Sequence, residues 1–180
     1  MSAVAKLIFK PVLEAMYVHG LSDRMTPAFR AKLTSLGINL DKLLPGYAYE
    51  VWERSLLEAV HLFPELDAKA ALTELGRRMC VATIEHIPGA STLMPMLRVL
   101  GITRAIKRAL KLGAAENFNQ VTYGAETPKS LEVKMTFVGT IPDFVKGSQL
   151  GLLPFFGAKN GACRITHVEG PAATYVLTWD

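Results

Sequence analysis

The spacing of apolar residues changes at Gly113, and this change limits the fold more than any other feature of the chain. Before Gly113, apolar residues recur at every third or fourth position, as on a helix with one buried face. After it they recur at every second position, as on a strand with one buried face. A chain that runs through its helices first and its strands second is expected to be α+β, since a parallel sheet would need the two to alternate.

Capping and turn residues divide the first part into helices. Pro11 suits a first helical turn, and Val12, Ala15, Met16 and His19 follow at helical spacing, with Gly20 as the stop, so a helix is predicted over 11–19. Thr26-Pro27 forms an N-cap with proline at the first helical position, ahead of Phe29, Leu33 and Leu36, and Gly37 ends that helix. Further helices are predicted over Tyr49–Leu62, Asp67–His86 and Ser91–Leu112, the last broken at Gly101. Gly76 inside the fourth helix costs about 1 kcal/mol relative to alanine, which predicts close packing against a neighbouring helix.

In the second part, Leu131, Val133, Met135 and Phe137 alternate with polar neighbours, and ENFNQVTYGAE precedes them as a hairpin partner across a turn at Pro128. A short helical segment interrupted by glycine and proline follows over 142–156. CRITHVEG and ATYVLTWD then form a second hairpin around Gly170-Pro171. The predicted fold is α+β, with N-terminal helices packed on a four-stranded antiparallel sheet in strand-strand-helix-strand-strand order. It forms one domain over 1–180, mostly helical over 1–113 and sheet with one short helical segment over 114–180.

A chain of 180 residues, half of them hydrophobic, can bury a core without metal or disulfide support. Cys80 and Cys163 are too far apart for a CxxC pair, which fits a reducing, cytoplasmic compartment. Lys6, Lys10, Pro11 and Glu14 interrupt the N-terminus too early for a signal peptide, and no apolar run approaches the roughly 18 residues of a transmembrane span.

The sequence lacks a P-loop, a dinucleotide glycine fingerprint, a nucleophile elbow, HExxH and an EF-hand loop, so turnover is not expected and no catalytic residue is assigned. His19, His61, His86 and His167 stand apart from one another and from other ligand types, so no metal site is predicted and no cofactor is expected, haem being the less favoured alternative. Asp41, Glu50, Glu53 and Glu58 read as ion-pairing residues of a solvated surface, and Cys80 and Cys163 as small apolar side chains.

Charge is concentrated in one place. Arg104, Lys107, Arg108 and Lys111 form one basic face opposite Ile102, Ile106, Ala109 and Leu110, a candidate anion-binding face for a membrane surface or nucleic acid. Phe144, Leu150, Leu152, Leu153, Phe155 and Phe156 crowd a glycine-broken segment, in a chain whose mean hydropathy is +0.24. That crowding suggests exposed apolar surface for a homodimer or a protein partner.

LTSLGINLDKLLPGYAYEVWERSL, ALTELGRRM, ENFNQVTYGAE and GACRITHVEGPAATYVLTW together resemble a paralogous family of uncharacterised proteins abundant in myxobacteria. Tyr49, Trp52-Glu53-Arg54, Leu75-Gly76-Arg77-Arg78 and Asn117 with Asn119 carry the resemblance, which supplies no activity. More remotely, the order of elements resembles small-molecule-binding domains of the four-vinyl-reductase type and the layout of haem-based nitric-oxide sensors. The chain lacks the extra cysteines of the former's zinc site and the Tyr-x-Ser-x-Arg signature of the latter.

The layout implies a regulatory module that binds a small apolar or acyl-chain-like molecule between helices and sheet, and the seven methionines could adapt to such a guest. Met79, Ile84, Met94, Leu97, Phe137 and Phe144 are the candidate lining, with Arg77 or Tyr123 for a polar head group. An interaction or dimerisation module without a ligand is the alternative.

Overall fold

The computed structural model describes residues 6–86, 89–115 and 119–180, with the side chains of residues 90, 91, 94, 114 and 115 outside the described set. The chain enters through a short strand β1 (Leu7–Phe9), which passes at Pro11 into α1 (Lys10–Leu13) and a π-helical segment, Glu14–Gly20. The Thr26 hydroxyl accepts the Phe29 N–H at 3.1 Å and so caps α2 (Pro27–Ser35). Strand β2 (Gly46–Ala48) pairs antiparallel with β1 and leads into α3 (Tyr49–Ala59), which tightens into a 3-10 turn over Val60–Leu62.

Asp67 caps α4 (Ala68–His86) by accepting the Ala70 N–H at 2.8 Å. Gly101, at φ +82, separates α5 (Ala90–Arg98) from α6 (Ile102–Ala115), a backbone setting that favours glycine.

The strands form the expected two hairpins. β3 (Val121–Thr127) pairs with β4 (Ser130–Met135), and β5 (Ala162–Glu169) with β6 (Ala172–Thr178). β4 also pairs antiparallel with β6, giving the order β3-β4-β6-β5. Between the hairpins run α7 (Pro142–Leu152) and a 3-10 turn, Leu153–Phe156. The fold is α+β, as the periodicity predicts.

Leu131, Val133, Ala173, Tyr175 and Leu177 point from the two central strands to one buried face of the sheet. With α5, α6, Cys80, Ile84 and Phe156 they form one core. A second core lies among the helices, where Tyr17, Trp52, Leu56, Phe63 and Leu75 meet Phe144 of α7. Val145 touches both.

Two features differ from the sequence reading. The β1–β2 ribbon is not foreseen as a pairing: Leu7, Ile8 and Phe9 form a short apolar run that could be a strand or an entry to a helix, and its partner at Gly46–Ala48, next to Pro45, shows no period. The apolar segment over 144–156 is not an exposed surface: Phe144, Leu152, Leu153 and Phe156 are buried, because α7 lies between α4 and the sheet and uses several sides at once. The start of the first hairpin, including Asn117, lies outside the described residues, while Asn119 Oδ1 accepts the Phe137 N–H at 3.1 Å.

Candidate functional site

The space between helices and sheet is where the sequence places a ligand, and three glycines define it. A methyl group built on Gly76 of α4 would run into the backbone carbonyl of Phe144 on α7, and one on Gly147 would run into that of Thr73. A methyl on Gly151 would lie 2.9 Å from both the Arg77 carbonyl oxygen and Cys80 Cβ. The two helices therefore meet backbone to backbone over two turns, closer than any pair of helices spaced by side chains.

The candidate lining residues do not converge on one cavity. Met79, Phe137 and Phe144 belong to the helical core, and Ile84 and Leu97 to the sheet core. The Met94 side chain lies outside the described set. Phe144 stands edge-on to Trp52 at 5.9 Å between ring centres, and Phe137 edge-on to Tyr49 at 4.9 Å, with the Lys6 ammonium 3.2 Å above its ring. Arg77 faces outward and is held by both oxygens of Glu74, and the Tyr123 hydroxyl donates to the Lys107 carbonyl at 2.8 Å. Both candidate head-group partners are thus engaged within the chain.

Buried polar atoms are likewise paired. The hydroxyls of Tyr17 and Ser55 lie 2.5 Å apart, and Ser55 donates onward to the Trp52 carbonyl. Gln149 sits between Met135 and Cys163, donating to the sulfur of the first and accepting from the thiol of the second. Among the described residues no buried side-chain nitrogen or oxygen lacks a partner. Burial pushes both thiols, Cys80 and Cys163, up to about 12, which fits small apolar side chains rather than nucleophiles.

None of the four histidines lies in the interior. His19 and His86 stack face to face on the surface, 3.9 Å between ring centres, and His86 Nδ1 faces the Ala82 carbonyl at 3.1 Å. His61 and His167 are exposed. Glu53 binds the chain entering α7, its Oε1 accepting the Thr140 N–H at 2.6 Å and the Thr140 hydroxyl at 3.0 Å. Concavities of about 350 and 440 Å3 lie on the outside of β5, shallow and open to solvent, lined by Cys163 and Arg164 among others.

The basic face forms as its spacing requires. Ala105 and Ile106 of α6 are buried against the sheet core, Ile102, Ala109 and Leu110 are partly buried, and Arg104, Arg108 and Lys111 are exposed. Lys107 bonds Glu126 of β3. At the turn between α5 and α6, Met96, Val99 and Leu100 project into solvent. The sequence reading missed these three as a surface, whose signal is apolar residues on both sides of Arg98, just ahead of Gly101 and the cationic run from Arg104 to Lys111.

The family described as "Protein of unknown function (DUF2378)" matches residues 6–180. The chain belongs to the DUF2378 family. No curated protein matches it.

Solved structures do, and they cover nearly all of the DUF2378 chain. An oxygen-binding H-NOX domain related to soluble guanylate cyclases, in its oxygen complex, is 10% identical, with TM-score 0.67 over 96% of this chain and 95% of that one. An H-NOX protein from S. oneidensis in the Fe(II)NO state is 8% identical, with TM-score 0.66 over 96% and 99%. A structure described as modulating haem redox potential through porphyrin distortion is 12% identical, with TM-score 0.68 over 96% and 95%.

The DUF2378 chain thus has the H-NOX fold, and the comparison with four-vinyl-reductase-type domains gives way to it. The expected small apolar or acyl-chain ligand, and with it the hydrophobic-ligand regulatory module, is overturned by the same finding, since the full-length fold neighbours are haem gas-binding domains. The expectation of no cofactor is corrected on the same ground: haem is the group this fold brings into question.

Proposed function

We propose that the chain is a regulatory module built on the H-NOX sensor fold that acts through contact with another protein. The full-length agreement of its fold with H-NOX domains, one of them described as related to soluble guanylate cyclases, carries the reading. The missing catalytic motifs agree with an output by contact, and two buried, unpaired thiols agree with a reducing compartment. No helix among the described residues is long and apolar enough to cross a membrane.

Haem is the group to test against this chain, because the neighbours' structures carry it. A histidine-ligated haem needs a flat apolar slot and one inward-facing ring nitrogen. The residues described here do not fit it: α4 and α7 touch backbone to backbone, and the four histidines are on the surface. No step in the proposed action therefore runs through haem.

Titrating the purified protein with haem, and recording absorbance before and after nitric oxide, tests the reading. The expected spectrum is that of unbound haem throughout. A saturable one-to-one complex with a nitric-oxide-sensitive band would replace contact signalling with gas sensing in the neighbours' own manner.

A further inference from the structure

We propose that the corner between α5 and α6 docks this domain on an anionic lipid bilayer, a property beyond protein contact signalling. Val99 is 88% exposed, Met96 66% and Leu100 48%, three large apolar side chains within five positions, projecting from the end of α5 and the turn after it with none of the described residues covering them. Single exposed apolar residues are ordinary, but a protruding cluster at a helix–helix corner marks a contact surface.

The cations continue from that cluster. Arg104 and Arg108 follow one another at four-residue spacing on α6, with Lys111 beside them on the same exposed side, and Leu100 stands at the turn just ahead of the helix. Arg98 flanks the turn from the α5 side. Lys107, at the edge of the stripe, is engaged by Glu126, and the Tyr123 hydroxyl bonds its carbonyl, so α6 is tied to β3 and presents the stripe on a fixed support. Residues 89–115 include five cations and neither aspartate nor glutamate.

The chemistry selects the partner. An apolar tip beside a line of cations matches the interface of an anionic membrane, where apolar groups enter the acyl boundary and cations stay at the headgroups. A nucleic-acid surface would call for aromatic or amide side chains among the cations, and residues 89–115 contain no Phe, Tyr, Trp, Asn or Gln.

Flotation of the full chain with vesicles of phosphatidylcholine alone, and of phosphatidylcholine with phosphatidylserine, tests the proposal. Binding is expected only with phosphatidylserine, and raised salt should weaken it about tenfold or more. Met96→Asp with Val99→Asp, and separately Arg104→Glu with Arg108→Glu, should each lower binding about tenfold or more while the circular dichroism spectrum is unchanged. Lys159→Glu with Arg164→Glu, an equal charge change at exposed positions near β5, should leave it intact.

No binding to either vesicle would overturn the proposal, as would equal binding to both, or equal loss in the Lys159/Arg164 variant. Vesicle binding that survives Met96→Asp with Val99→Asp and is displaced by duplex DNA would assign the stripe to nucleic acid instead.

Discussion

A single methyl group at Gly147 decides whether α4 and α7 can meet, because the obstacle is the Thr73 backbone, which cannot turn aside as a side chain can. Gly147→Ala is therefore expected to lower stability by about 2 to 4 kcal/mol in urea unfolding, an overpacking cost at the high end of single substitutions. Gly113→Ala, at an exposed helical position where an added methyl meets nothing within 4 Å among the described residues, should instead raise stability by up to about 1 kcal/mol. Gly76 could be recognised as a contact glycine from sequence, because it interrupts an otherwise regular helical pattern. Gly147 and Gly151 could not, since beside Pro154 they read as helix breakers, and a glycine that ends a helix and one that seats a neighbour look alike in a sequence. The same blindness hides Arg77 and Tyr123, whose partners, Glu74 and the Lys107 carbonyl, are found only when side-chain direction is known.

At the level of elements, Arg78 ties the π-helical segment to α4. Its guanidinium donates to the Gly20 carbonyl, to Asp23 at 2.6 Å and to Glu74 at 2.8 Å, and also lies over the Phe63 ring. The hydrogen bond from Arg78 holds the Asp23 carboxyl below its usual range. Burial raises that of Glu74, but the guanidiniums of Arg77 and Arg78 outweigh it and leave the net shift downward. Both groups titrate lower in the folded chain than in the unfolded one. Their stabilisation is thus present above the ordinary carboxylate value of about 4 and is lost as pH falls through the depressed folded values. Arg78→Ala should lower stability near neutral pH by about 1 kcal/mol, these groups being partly exposed, and should start acid unfolding at a higher pH, as read by circular dichroism. The sequence could reveal α4 and its cap but not this tie, because the segment from Gly20 to Asp23 lies some 55 residues away and carries no periodic signal.

For the whole molecule, each core holds one of the two tryptophans, Trp52 among the helices and Trp179 beside the sheet. The cores share Val145 and the α4–α7 seam, so they are expected to unfold as one. In Trp52→Phe and Trp179→Phe variants, each leaving a single tryptophan, the fluorescence transitions in urea should share one midpoint, and separated midpoints would mean that the halves are independent. The α+β architecture was open to sequence reading because it follows from periodicity, whereas the type of site was not. A ligand-bearing interior and a packed one call for the same apolar residues, and only the backbone approach of α4 to α7 tells them apart.

The strand order also bears on how the chain reaches this state. Each hairpin closes over a short turn, but the central pairing of β4 with β6 brings Met135 to Ala173 and Ser130 to Thr178, partners 38 and 48 residues apart, with all of α7 between them. The entropy of closing that loop is recovered only once α7 has settled on α4, so the glycine contacts become a condition for zipping the sheet. Gly147→Ala should then slow refolding, whereas a mild truncation in the β5–β6 turn should chiefly hasten unfolding.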